Sequence, residues 1–102
     1  MDKERWYQLT FAQQMGNIGS EIARARHWEN QKDLLEKERA LTRAFELIDL
    51  TLSDSRWRYR RKELGRLREI IADWYSNQKY YTVMPESVEE YCISFTLNPY
   101  QS

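Results

Sequence analysis

Little in this 102-residue sequence breaks a helix or staples a fold. Two prolines and three glycines are too few for an all-β fold built on many tight turns. The lone Cys92 excludes an intrachain disulfide framework and fits a reducing, cytoplasmic setting. Carboxylate-bridged metal bundles need Glu-x-x-His pairs on two helices, whereas the only histidine, His27, has Arg24 three residues before it. No metal and no cofactor is expected. No apolar run reaches the roughly 18–20 residues of a membrane span, and the charged start MDKERW does not read as a signal peptide. No membrane partner is expected either. Sixteen basic and sixteen acidic side chains cancel, which argues against a general polyanion binder. A chain of this length makes one domain, 1–102, able to bury a core without staples.

What is present is helical period. Phe11, Met15, Ile18, Ile22 and Ala25 recur in steps of four and three and form one apolar seam. Beside it runs a stripe of small residues, Ala12, Gly16, Gly19 and Ala23. A glycine inside a helix costs about 1 kcal/mol relative to alanine, so the stripe calls for a second helix backbone in close approach. Gln14, Asn17, Glu21 and Arg24 make a polar row on the other flank. The first helix is expected over about 3–28, with Trp6 and Leu9 off its main seam, packed under the C-terminus or exposed for a partner.

Asn30 and Asp33 mark a break, and a second helix follows over about 33–52, with a seam of Leu34, Leu41, Phe45, Ile48 and Leu52 widened by Ala40, Ala44 and Leu47. Ser53, Asp54 and Ser55 form the next break. The third helix, about 57–77, carries Trp57, Leu64, Leu67, Ile71 and Trp74. Residues 76–84 read as a loop with two exposed tyrosines. Pro85 starts a short fourth helix, 85–97, on Val88, Tyr91 or Cys92, and Phe95. The expectation is an all-α, antiparallel up-down-up-down four-helix bundle with a short fourth helix.

The run Arg56, Trp57, Arg58, Tyr59, Arg60, Arg61 and Lys62 interleaves cations with aromatics, as single-stranded nucleic acid requires. It also sets cations against the positive end of a helix dipole, at about 0.3–1 kcal/mol per exposed charge. A structural reading needs no ligand: the acidic end of the second helix, Glu46 and Asp49, meets this basic start, and Arg39 and Arg43 meet Glu69 and Asp73. The polar row on helix one could join the same layer, fixing helix register.

Catalytic constellations are missing. HEPN-type ribonucleases place an arginine a few residues ahead of a late histidine, but Ser20, Glu21 and Ile22 precede His27 at that spacing. There is no P-loop, dinucleotide glycine fingerprint or nucleophile elbow. Cys92 reads as a small buried hydrophobe.

The segments NIGSEIARA (17–25), RAFELIDLT (43–51) and ELGRLREIIAD (63–73) resemble a family of small uncharacterised bacterial helical-bundle proteins. The resemblance implies a bacterial, cytoplasmic helical bundle and carries over no activity, cofactor or catalytic residue. The expected role is a non-enzymatic protein-interaction module, homodimeric or binding another protein, with Trp6, Leu9, Ala12, Gly16 and Gly19 as contact residues. The alternative is a nucleic-acid-binding accessory protein using the run 56–62.

Overall fold

The computed structural model describes residues 2–77 and 83–97. The expected loop tyrosines, Tyr80 and Tyr81, and the tail 98–102 lie outside the described residues. The protein is an all-α helical bundle: α1 Lys3–Trp6, α2 Phe11–Asn30, α3 Leu34–Leu52, a 3-10 segment Ser55–Arg60, α4 Arg61–Ser76 and α5 Pro85–Leu97.

The expected first helix is two helices. Thr10 accepts a hydrogen bond from the Gln13 amide at 3.1 Å while the Gln13 side chain accepts from the Thr10 amide at 2.9 Å. This capping box satisfies two amides that would otherwise be orphaned and fixes the start of α2 at Phe11. The chain therefore turns between Trp6 and Thr10, which swings α1 across the bundle rather than extending it. The second start falls where expected, with Asp33 accepting from the Glu36 amide at 3.1 Å. The third helix begins differently: Asp54 caps a 3-10 segment, and regular α-geometry opens only at Arg61.

Cross-helix pairs set the directions. Lys37 on α3 meets Glu29 on α2 at 2.6 Å, and Arg43 meets Glu21 at 2.9 Å, so the two helices run antiparallel. Arg26 and Glu89 pair across α2 and α5 at 2.8 Å, while Phe11 packs edge-on against Phe95 at 5.2 Å. Arg68 and Asp49 join α4 to α3 at 2.8 Å. Helix α2 is thus flanked by α3 and α5, and α4 packs against α3 and borders α5, with Trp74 reaching Glu29 on α2. The end holding the α2–α3 turn and the start of α5 is the lower end; the end holding α1 and the 3-10 segment is the upper end.

The core is the expected seam: Phe11, Met15, Ile18, Ile22 and Ala25 from α2 are buried with Ala40, Leu41 and Ile48 from α3, Leu64, Leu67 and Ile71 from α4, and Val88, Cys92 and Phe95 from α5. Leu34 departs from it. It is 64% exposed, because it opens α3 beyond the last turn of α2, and Lys37 takes the buried position one turn on.

The small-residue stripe receives α5. A Cβ on Gly19 would stand 3.1 Å from the Cys92 Cβ and 3.2 Å from Ile93 Cγ1, with the Ile93 backbone nitrogen at 3.8 Å. A Cβ on Gly16 would meet only the Thr96 methyl, at 2.8 Å, on an exposed side chain that can turn away. Gly65 on α4 has nothing within 4 Å. Three outcomes follow in thermal melts. Gly19→Leu is expected to cost about 1–3 kcal/mol by overpacking, Gly16→Leu less than that, and Gly65→Ala should stabilise by up to about 1 kcal/mol. Equal melting of the two leucine variants and the parent would sink the close-approach account.

Candidate functional site

The upper end is built around one buried polar side chain. Gln14, fully buried, donates to the Trp6 carbonyl at 2.9 Å and to Asp54 at 3.2 Å, and accepts from the Trp57 indole at 2.9 Å. Trp6, also fully buried, donates its indole N–H to Thr51 at 3.1 Å. Asp54 in turn accepts from the Arg56 amide at 3.1 Å and from its guanidinium at 2.7 Å. Burial pushes the Asp54 carboxyl up, but the hydrogen bonds from Arg56 and Gln14 outweigh it and hold its pKa below the usual carboxylate range. Two stretches some forty residues apart, 6–14 and 51–57, are locked together here by satisfied polar groups. The sequence showed Gln14 only as one of a polar row.

The basic run divides at this junction. Arg56 is spent on Asp54 and on the Leu9 carbonyl, 2.8 Å away, and lies over the Trp57 ring. Trp57 packs edge-on against Phe11 at 5.3 Å. The Arg60 guanidinium sits 4.3 Å from the Phe11 ring centroid and 5.4 Å from those of Phe95 and Tyr59. The rest faces out: Arg58, Arg61 and Lys62 are exposed, and Tyr59 is 75% exposed. The segment kinks at Trp57 (φ −110°, ψ 27°), and Trp57 and Arg60 are its half-buried members.

The expected charge layer forms with other partners. Glu21, buried, is held by Arg24 and by Arg43 at 2.9 Å, and Arg39 pairs with Glu36 at 2.7 Å. Asp49 takes Arg68, as the antiparallel arrangement of acidic and basic ends requires. Asn17 is exposed and donates to the Gln13 carbonyl, outside this network. Lower down, Glu29 accepts from Lys37 and from the Trp74 indole at 2.8 Å. Burial opposes that carboxylate, yet the two donors hold its pKa below the usual range. No group of three or more His, Cys, Asp or Glu could hold a metal among the described residues. His27 is exposed, edge-on to Trp28 at 4.8 Å. Cys92 is fully buried, and burial, with Glu89 adding to it, pushes its thiol up to about 12. A thiol so placed stays protonated at neutral pH and is a poor nucleophile.

The residues expected at a protein interface are used within the chain. Trp6 lies in the upper junction, Gly16 and Gly19 receive α5, and Ala12 packs against the core. Leu9 is half-buried, its carbonyl taken by Arg56. The face offered to another helix is already filled by α5. Two other surfaces stay open. A cleft of about 220 Å³ lies between α4 and α5, walled by Leu67, Ile70, Val83 and Val88, with Glu63 accepting from Tyr91 at its edge. At the lower end, Leu34 and Leu35 stand side by side, 64% and 58% exposed, and each shares a shallow depression with Tyr75 and Glu38. This apolar end was not legible in advance, because Leu34 falls on the α3 seam by period.

Comparison with family models, curated proteins and solved structures returns no match. No helix among the described residues is long and apolar enough to cross a membrane.

Proposed function

We propose that this chain is a non-enzymatic, homodimeric interaction module of the cytoplasm that associates through its lower end. The observation that carries the reading is the pair Leu34 and Leu35, two large apolar side chains more than half exposed next to the partly exposed Tyr75. Two adjacent leucines turned to water at a helix start contribute nothing to this monomer's core, and clustered exposed apolar side chains mark association surfaces. The border carries both signs: Glu36 and Glu38 stand beside Arg39 and Arg43 on α3. In a two-fold contact each copy presents the same patch to the other, so a mixed border meets its own complement. A single-signed border would have favoured a partner of opposite charge. The lone buried Cys92 supports a reducing compartment.

Light scattering coupled to size-exclusion chromatography tests this. The parent is expected to run as a dimer, and Leu34→Glu/Leu35→Glu as a folded monomer with its helical signal intact. Exposed substitutions of this kind change monomer stability by only about 0.5 kcal/mol either way. A parent that stays monomeric at every concentration would overturn the reading, as would a double variant that remains dimeric.

A further inference from the structure

The part of the basic run left over from the upper junction has a different chemistry from the lower end. Seven of the sixteen basic side chains lie between Arg56 and Arg68, beside a single acid, Glu63. The net charge of zero therefore conceals a strongly basic segment. Arg56, Arg60 and Arg68 are engaged with Asp54, Glu63 and Asp49. Arg58, Arg61 and Lys62 make no ion pair among the described residues and are exposed. Their position opposes the α4 dipole, a cost of about 0.3–1 kcal/mol for each exposed cation. Tyr59 stands among them with three-quarters of its surface in water. It is rooted: the Arg60 guanidinium lies between the Tyr59 ring, at 5.4 Å, and the buried Phe11 ring, at 4.3 Å. One side of the tyrosine is backed by a fixed cation anchored in the core, and the rest of the ring is open.

We infer that Arg58, Tyr59, Arg61 and Lys62 form a binding site for single-stranded nucleic acid. A base stacks on Tyr59, and the three cations take the flanking phosphates. An acidic peptide would use the cations but has no use for a largely exposed tyrosine ring among them. Stacking on an aromatic ring is tolerant of base identity, and the phosphates supply salt dependence, so the site reads strand rather than sequence.

Fluorescence anisotropy with a labelled oligothymidylate of about a dozen nucleotides, within the range such grooves accommodate, tests the proposal on the intact chain. The parent is expected to bind at low salt, with the logarithm of its binding constant falling against that of salt at a slope near about −2, for three single-strand phosphate contacts. Arg61→Ala/Lys62→Ala should flatten that slope to about −0.7. Tyr59→Ala should weaken binding about 5–150-fold, the range of one lost stacking contact, and leave the slope unchanged. All four side chains are exposed, so unchanged melting of these variants is expected and separates lost binding from lost fold. Absence of binding at low salt overturns the site. So does unaltered affinity in Tyr59→Ala, or a polyglutamate competitor that binds as tightly as the oligonucleotide. The Leu34→Glu/Leu35→Glu variant leaves this end intact, so failure of the dimer reading would be seen separately.

Discussion

Trp6→Ala is expected to destabilise the fold by about 3–5 kcal/mol, the usual cost of removing a buried tryptophan. For a domain of this size each kcal/mol shifts the melting point by about 4–8 °C, so the loss exceeds about 10 °C. The argument begins with α1, which at four residues has no stability of its own. It is held because the Trp6 ring is fully buried, its indole N–H donates to Thr51 on α3, and its carbonyl accepts from Gln14 on α2. Truncation leaves a ring-sized cavity and strands the Thr51 hydroxyl without that donor, although Thr51 still donates to the Leu47 carbonyl at 3.0 Å. Trp6→Phe separates the two effects: it keeps most of the apolar volume and gives up the hydrogen bond, for about 0.5–1.5 kcal/mol. Urea unfolding followed by circular dichroism measures both. A Trp6→Ala variant within about 1 kcal/mol of the parent would show that α1 is an ornament to the bundle and not part of it.

Why the sequence misplaced Trp6 is instructive. The apolar period that runs through Phe11, Met15 and Ile18 can be extended backwards without contradiction, and nothing in the 3.6-residue repeat marks a stop. The stop is written in another register, as Thr10 followed three residues later by Gln13, a capping box that opens α2. Asp33 and Pro85, by contrast, sit where no competing period runs through them, and there the expected and observed starts agree. The glycine stripe marks a close approach that occurs at Gly19, where the Ile93 backbone comes near, while at Gly16 only the Thr96 methyl arrives; the identity of the approaching helix, α5, depends on long-range packing that no local pattern encodes. Leu34 shows the converse. Periodicity assigns it to the seam, but burial also requires a facing element, and α2 has ended at Asn30. The basic run was legible as a cluster. Its division into half-buried Trp57 and Arg60 and exposed Arg58, Tyr59, Arg61 and Lys62 depends on a 3-10 segment kinked at Trp57, and the expected α-helical period from Trp57 hid it.

The second large effect belongs to Asp54, on which that geometry depends. Asp54→Ala removes the cap of the 3-10 segment, worth about 0.5–2 kcal/mol. It also takes one acceptor from the buried Gln14 amide and the ion-pair partner that Arg56 has among the described residues, adding about 1–3 kcal/mol. The expected sum is about 1.5–5 kcal/mol. Asp54→Asn keeps a capping oxygen and isolates the charge. The folded pKa of Asp54 lies below its ordinary value of 3.8, so its ionised form is favoured by folding. The stability this contributes is complete above the ordinary value and is lost as pH falls through the folded one. The parent should therefore exceed Asp54→Asn in urea unfolding at about pH 7, and the gap should close as the pH is taken below about 4. Arg56 is partly exposed, so solvent tempers the size of the gap but not its direction. A gap that persists unchanged into acid would mean that the shape of Asp54, rather than its charge, holds the upper junction together.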